Sequence, residues 1–251
     1  MIAIAVPWGV ALRLLRAPVR GLCHVPWYFV VEVGKYVPGG LWSVLGRAEI
    51  ARRRGVGSAA AYGSVVLSLA ALYLAAVAIA VVLSPLWLVP DVAGAYWWLV
   101  GVVLLPLGLL ALHPRCVAAG LLLAQRLLRR DLLGPVPSWG ACLRCVASYL
   151  PAWTLIVLAT WALTRALTPD APLGVIAFAA VVSWVAGFLA VPVPGGVGVR
   201  EAVFIAVAGP SPGVTAAAAV LARTVFVVID VVAALLGGVW MAGRGSVREP
   251  D

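Results

Sequence analysis

Long apolar stretches without a charged residue dominate this sequence. No charged residue lies between Arg54 and Asp91, and none lies between Asp91 and Arg115. A helix needs about 20 mainly apolar residues to cross the hydrocarbon core of a bilayer. The pattern therefore predicts an all-α, polytopic transmembrane helical bundle, with membrane spans at about residues 64–89, 96–112, 145–164, 172–193 and 213–241.

Several apolar stretches are too short to cross a membrane alone. Residues 2–15 are interpreted as a further, incomplete span, whereas residues 25–37, 41–51 and 197–208 flank two Pro-Gly-Gly sequences. Residues 115–130 differ, because their arginines can share one helical face opposite leucines. This pattern predicts either an amphipathic helix in the membrane interface or an ordinary cytoplasmic connector.

The composition indicates the same class of protein. Hydrophobic residues make up 64% of the 251 residues and charged residues only 11%, whereas a soluble domain is about half apolar and a quarter charged. We therefore expect a single integral membrane domain over residues 1–251. The net charge of +9 comes from arginines at the ends of apolar stretches, which the positive-inside rule explains without nucleic acid.

The four cysteines favour neither a disulfide scaffold nor a metal site. Cys23, Cys116, Cys142 and Cys145 are too few and too scattered for a scaffold. The Cys142-x-x-Cys145 pair could form a zinc site with His113 and Cys116, but no second spaced pair supports it. The sequence also has no Ser-His-Asp order, Walker loop or metalloprotease motif, so we expect no catalytic residue, metal or cofactor.

The distribution of arginine predicts a topology that cysteine labelling can test. Cytoplasmic loops carry an excess of Lys and Arg, so we expect Arg53 and Arg129 to face the cytoplasm and Asp91 and Asp170 to face outside. A cysteine introduced at each position, in a protein without its native cysteines, is probed with an impermeant thiol reagent on intact cells. Labelling at position 53 or 129 would contradict this topology.

The same rule predicts that the chain turns back at the second Pro-Gly-Gly. If the fourth predicted span crossed fully, the fifth would carry Arg244 and Arg248 to the outside. A break at residues 191–209 that enters from outside and returns leaves them in the cytoplasm. The first break, residues 25–54, would enter from the cytoplasm. We therefore predict two re-entrant or broken-helix hairpins that approach each other from opposite faces, as in transporters built from inverted repeats.

Both Pro-Gly-Gly sequences are followed by a Gly, an Arg and a Glu. Proline ends the preceding helix, and glycine permits backbone angles that other residues resist. The next helix then begins with unpaired amides that favour an anion, which Arg binds with two parallel hydrogen bonds. The alternative is a simple turn between helices. The candidate substrate-binding residues are Lys35, Pro38, Gly39, Gly40, Arg47 and Glu49 in the first segment, and Pro194, Gly195, Gly196, Gly198, Arg200 and Glu201 in the second.

Arg223 and Asp230, within the fifth predicted span, are two further candidates. They are two helical turns apart and so share a face. An ionisable residue inside a span is costly and indicates a functional site by default. They either contact substrate or form structural ion pairs, Arg223 with Glu201 and Asp230 with Arg200.

These segments resemble a known family. Residues 34–42, Gly-Lys-Tyr-Val-Pro-Gly-Gly-Leu-Trp, with Gly46-Arg47 after them, are similar to the first signature of the flippase-like transmembrane domain of bacterial lysylphosphatidylglycerol synthases and its stand-alone relatives. Residues 194–201, Pro-Gly-Gly-Val-Gly-Val-Arg-Glu, are similar to the second signature, and Arg223 matches a further family position.

Two departures from the family pattern limit what the resemblance implies. In the synthases a soluble aminoacyl-transferase domain follows the membrane part, whereas this sequence ends at Asp251. We therefore do not expect synthase activity here. Family members also begin with one more complete N-terminal span, so we expect Met1 to lie within the second span of that pattern.

The resemblance implies movement of lipids, such as aminoacyl-phospholipids or polyprenyl-phosphate-linked glycans, across the bilayer. We therefore predict a multi-pass protein of the cell membrane that is a lipid flippase or transporter and not an enzyme. Its partners would be membrane lipids and not nucleic acid, with the phosphate of an anionic lipid bound between the two hairpins. The alternative is a non-catalytic membrane partner of a lipid-modifying or glycosyl-transferring enzyme.

Overall fold

The computed structural model describes residues 1–37, 42–87, 102–103, 105–119, 136–190, 193–209 and 212–245. These residues form helices joined by short turns, and they contain no strand. The predicted all-α fold is therefore confirmed. The first Pro-Gly-Gly, the Asp91 loop, residues 96–101 and residues 120–130 lie outside the described residues.

The N-terminal part consists of short helices, as its short apolar stretches predict. Helix α1 covers Ile2–Leu14, α2 covers His24–Glu32, and α3 covers Trp42–Arg53. A 3-10 turn, η1 (Val33–Tyr36), extends α2. Val37 then has the extended backbone angles φ −82° and ψ 135°, which are those favoured by a residue that precedes a proline.

The remaining described helices are mostly longer: α4 (Ser58–Trp87), α5 (Trp139–Leu167), α6 (Leu173–Leu189), α7 (Val199–Ala208) and α8 (Pro212–Gly245). In this part of the chain, three segments are long and apolar enough to cross a membrane: Ser58–Leu83, Trp139–Leu167 and Gly213–Gly243. Helix α6 lies at the fourth predicted span but has only 17 residues, so the chain leaves helical geometry before the second Pro-Gly-Gly.

Helix α4 lies at the centre of the bundle and packs against α1, α5 and α6. Fully buried alanines, Ala61, Ala71, Ala75 and Ala76, allow these helices to approach closely. Helix α8 packs against α2, and α7 packs against α6.

The second Pro-Gly-Gly breaks the helix, as the sequence predicts. It forms a 3-10 turn, η2 (Pro194–Gly196), and α7 begins only at Val199. Gly195, Gly196 and Gly198 have φ angles of 57°, 66° and 82°, which residues with a Cβ rarely adopt. Insertion of this break into the membrane and an inverted-repeat relation between the two halves stay predictions.

Candidate functional site

The turns η1 and η2 contact each other beside a cavity of about 200 Å³. A glycine makes this contact possible. A Cβ built on Gly195 would lie 2.8 Å from Cδ1 of Tyr36, so a larger residue would push the two turns apart. Charged side chains from five elements line the cavity: Glu32, Lys35, Arg47, Arg200, Arg223 and Asp230.

Asp230 is the most deeply buried of these charged groups, with 1% of its surface exposed. One carboxylate oxygen, Oδ2, receives both the Lys35 ammonium at 2.6 Å and the Tyr36 hydroxyl at 2.8 Å. Lys35 also donates to Oε1 of Glu32 at 3.1 Å. One ammonium therefore joins a carboxylate of α2 to a carboxylate of α8. This corrects the predicted pairing of Asp230 with Arg200.

Arg223, in α8, holds the turn at the second Pro-Gly-Gly in place. Its Nη1 donates to Oε1 of Glu201 at 2.6 Å, and its Nη2 donates to the carbonyl oxygen of Gly195 at 3.3 Å. The other Glu201 oxygen accepts the amide hydrogen of Gly198 at 2.6 Å. The predicted pairing of Arg223 with Glu201 is therefore present, and Glu201 also caps the first turn of α7.

Arg47 and Arg200 are held differently, by aromatic rings. The Arg200 guanidinium lies 3.8 Å from the ring centroid of Trp184 and 5.4 Å from that of Phe226. Arg47, which is 4% exposed, lies 5.0 Å from the Tyr28 ring and donates to the Ser43 carbonyl. Among the described residues, no carboxylate lies within ion-pair distance of either arginine.

Four buried polar atoms around the cavity have no hydrogen-bond partner among the described residues: Glu32 Oε2, Tyr73 Oη, Trp184 Nε1 and Asp230 Oδ1. A buried polar group without a partner costs about 1–3 kcal/mol. Their concentration at one cavity therefore indicates a ligand-binding site.

Glu32, Tyr36, Tyr73 and Trp184 were not predicted as site residues. Glu32 carried a usable signal, because it is a charged residue in an apolar stretch one helical turn before Lys35. Tyr36 lies within the first signature segment, whereas Tyr73 and Trp184 belong to neither segment and carried no such signal.

Glu49 was predicted at the site, and the structure places it elsewhere. Its carboxylate faces outward from α3 and pairs with Arg52 at 2.8 Å and with Arg53 at 3.0 Å. The hydrogen bond from Arg53 is the main interaction that lowers the pKa of Glu49. Because Glu49 does not line the cavity, it is a suitable control position for substitutions at the site.

The cysteine pair also lies away from the cavity. Cys142 and Cys145 are both fully buried in α5, as free thiols. Within the described ranges, no group of three His, Cys, Asp or Glu side chains is positioned to hold a metal ion.

The substitution Gly196→Ala is expected to destabilise the protein. The left-handed φ of 66° costs a residue with a Cβ about 1–2 kcal/mol, and the new Cβ would overlap the carbonyl group of Gly187 in α6. Thermal unfolding of the purified protein in detergent measures the effect. Gly140→Ala is the control, since a Cβ there meets nothing within 4 Å. Equal midpoints for the two variants would contradict the prediction.

A comparison with known proteins identifies the family of this chain. The model of the lysylphosphatidylglycerol synthase TM region family matches residues 2–238 and so includes both turns and all the charged side chains that line the cavity. Searches of curated proteins and of solved structures found no match to the chain. Together with the three helices in the described part of the chain that are apolar enough to cross a bilayer, the family match identifies a membrane protein of a type linked to lipid modification or transport. The chain belongs to the lysylphosphatidylglycerol synthase TM region family.

Proposed function

We propose that this protein moves an anionic, phosphate-bearing lipid across the cell membrane, as a multi-pass flippase or transporter without enzymatic activity. One observation carries the proposal: Arg47 and Arg200 line the same cavity, and neither has an acidic partner among the described residues. A charge away from water is costly unless an opposite charge meets it. A lipid phosphate would supply that charge.

The chemistry of the two arginines suits a phosphate. A guanidinium can give a phosphate two parallel hydrogen bonds. Arg200 is the second residue of α7, so the positive end of the helix dipole adds to its own charge. The flat ring of Trp184 under Arg200 leaves the guanidinium edge available to a ligand, because a cation stacked on a ring face keeps its in-plane N–H groups.

Transport of labelled lipid in proteoliposomes tests the proposal. Fluorescent lipids in the inner leaflet become accessible to a membrane-impermeant reducing agent only when they reach the outer leaflet. We expect the wild-type protein to transport an anionic phospholipid, and the double variant Arg47→Ala/Arg200→Ala to lose this activity. Glu49→Gln, on the outer face of α3, is expected to keep it.

The absence of protein-dependent movement of any phosphate-bearing lipid would overturn the proposal. In that case the alternative is a non-catalytic membrane partner of a lipid-modifying or glycosyl-transferring enzyme. Its signature is distinct: deletion of this protein lowers the cellular amount of that enzyme, and the two proteins co-purify.

A further inference from the structure

Glu32, Lys35 and Asp230 form a buried acidic cluster in which one cation serves two carboxylates. The Lys35 ammonium lies 3.1 Å from Oε1 of Glu32 and 2.6 Å from Oδ2 of Asp230, which leaves the cluster with a net charge of −1. The second oxygens, Glu32 Oε2 and Asp230 Oδ1, are buried and without a hydrogen-bond partner among the described residues. Asp230 is only 1% exposed and lines the cavity. The acidic cluster therefore holds excess negative charge away from water, with free carboxylate oxygens that can accept a positive charge.

The cations that face the acidic cluster across the cavity are those proposed to bind phosphate. Arg223 is paired with Glu201 at 2.6 Å, so its charge is already matched. Arg47 and Arg200 line the same cavity as the cluster, and Arg200 lies within electrostatic reach of Asp230. In the cavity without a ligand, these two arginines therefore offset part of the cluster's negative charge.

We propose that the binding of an anion at Arg47 and Arg200 is coupled to the uptake of one proton by the acidic cluster. This inference rests on the proposed function, because it requires a phosphate at the two arginines. That phosphate would take up the arginine charge that offsets the cluster, and its own negative charge would repel the two carboxylates. At an effective dielectric constant of about 20, two charges about 10 Å apart change each other's binding on the order of tenfold. A proton from water in the cavity, bound to one free carboxylate oxygen, neutralises the cluster.

A proton fits the acidic cluster better than a metal cation does. A proton needs one free oxygen, whereas a metal cation such as calcium needs about six oxygen ligands. Within the described ranges, no three His, Cys, Asp or Glu side chains are positioned to hold a metal ion. The Lys35 ammonium lies between the two carboxylates and stays charged there, because two opposite charges favour its protonated form. The cluster therefore gains its proton on a carboxylate, and the two carboxylates titrate as a pair.

The other titratable groups around the acidic cluster are few. Neither of the two histidines lines the cavity. Tyrosine hydroxyls stay protonated near neutral pH, and those within electrostatic reach of the cluster are Tyr28, Tyr36, Tyr73 and Tyr149. The amino group of Met1 is also within reach of Asp230. A chain with a short N-terminal extension is therefore measured alongside, because it has no amino group at that position.

Such coupling would supply free energy for transport. Linkage is reciprocal, so the cluster binds its proton more tightly when the lipid is present, and the lipid binds more tightly when the proton is present. A lipid that crosses the membrane together with a proton is driven by a difference in pH between the two sides.

Isothermal titration calorimetry of the full chain in detergent tests the coupling, with short-chain phosphatidylglycerol as the probe. Its phosphodiester does not titrate near neutral pH, so any proton exchanged belongs to the protein. Titrations in two phosphate-free buffers of different ionisation enthalpy give the number of protons taken up per bound lipid. A tenfold coupling gives a maximal uptake of about half a proton, and stronger coupling approaches one. We expect this uptake, together with an affinity that falls about tenfold or more as the pH rises from about 5 to about 9.

Glu32→Gln should abolish the proton uptake while the lipid still binds. The amide oxygen still accepts from Lys35, but the amide takes up no proton in this pH range, and the cluster is neutral throughout. The affinity of this variant should change less than about twofold with pH. Glu49→Gln is the matched control and should retain the uptake. If Glu32→Gln fails to fold, Asp230→Asn tests the same point, because its amide oxygen can accept from Lys35 and Tyr36.

The outcomes separate this inference from the proposed function. Lipid binding without proton uptake, and with an affinity independent of pH, would overturn the coupling and leave the phosphate site intact. Failure of the probe to bind would overturn the phosphate site and the coupling with it. Uptake that persists in Glu32→Gln, or that disappears when Met1 carries the extension, would assign the proton to another group and overturn the inference. An affinity that depends on sodium concentration at constant ionic strength, without proton uptake, would replace the proton with a metal cation and also overturn it.

Discussion

Replacing Arg200 with lysine is expected to slow lipid transport by at least about tenfold while the protein still folds. Lysine keeps the positive charge but loses the fork that binds a phosphate with two parallel hydrogen bonds. It also loses the stacking of a planar group at 3.8 Å from the Trp184 ring. Arg200→Ala should reduce transport at least as much, because it removes the charge as well. The proteoliposome assay measures both rates.

Arg165 provides a matched control for Arg200. Its guanidinium also lies over a tryptophan ring, 5.1 Å from that of Trp161, but its side chain is exposed and does not line the cavity. Arg165→Ala should therefore leave transport unchanged. Wild-type transport by Arg200→Ala would rule out the anion site. If Arg200→Ala abolishes expression, transport by Arg200→Lys and lipid binding by the wild-type protein still test it.

Removing the Asp230 carboxylate is expected to cause the largest loss of stability. Asp230→Ala leaves the Lys35 ammonium with Glu32 as its remaining acidic partner among the described residues, and it leaves the Tyr36 hydroxyl without its acceptor. Loss of one partner from a buried ion pair costs about 3–5 kcal/mol. Unfolding of the purified protein in mixed micelles, followed by circular dichroism, measures this free energy. Asp170→Ala, at an exposed aspartate, should change it by less than about 0.5 kcal/mol.

The double variant Lys35→Met/Asp230→Ala tests whether Lys35 and Asp230 stabilise the protein through their interaction with each other. It leaves no uncompensated charge at this position, so it should lose less stability than the sum of the two single variants. A strictly additive loss would show that Lys35 and Asp230 do not interact. The variant Asp230→Asn distinguishes a substrate-binding role of Asp230 from a structural role. Normal stability with weakened lipid binding would show that Asp230 binds the substrate, whereas a loss of stability would show that it stabilises the fold.

Local sequence rules account for the helices and for the break between α6 and α7. Apolar stretches predicted the long helices, because a helix that crosses a bilayer needs about 20 mainly apolar residues and such a stretch can be recognised from composition alone. Proline and paired glycines predicted the interruption at residues 194–196, since left-handed angles there require residues without a Cβ. The position of Arg200 in the first turn of α7 follows from the same break. These properties depend on neighbouring residues alone.

Only the tertiary structure showed which residues come together at the site. Tyr36 and Asp230 are 194 residues apart in sequence, and nothing local to α8 selects Lys35 over Arg200 as the partner of Asp230. That choice depends on how α2, η1 and α8 are rotated and packed. The same packing brought Glu32 and Trp184 to the cavity, although neither belongs to a Pro-Gly-Gly signature.

For Arg47 and Glu49, the sequence alone could not show which side chain of α3 faces the cavity. Both residues were predicted at the site, but residues two apart on a helix point about 200 degrees apart, so α3 can present only one of the two side chains to the cavity. Only the packing of α3 against α2 and α4 decided which of them faces inward. The structure buries Arg47 at the cavity and leaves Glu49 paired with Arg52 and Arg53 outside, because the orientation of a helix is set by contacts with distant segments and not by its own residues.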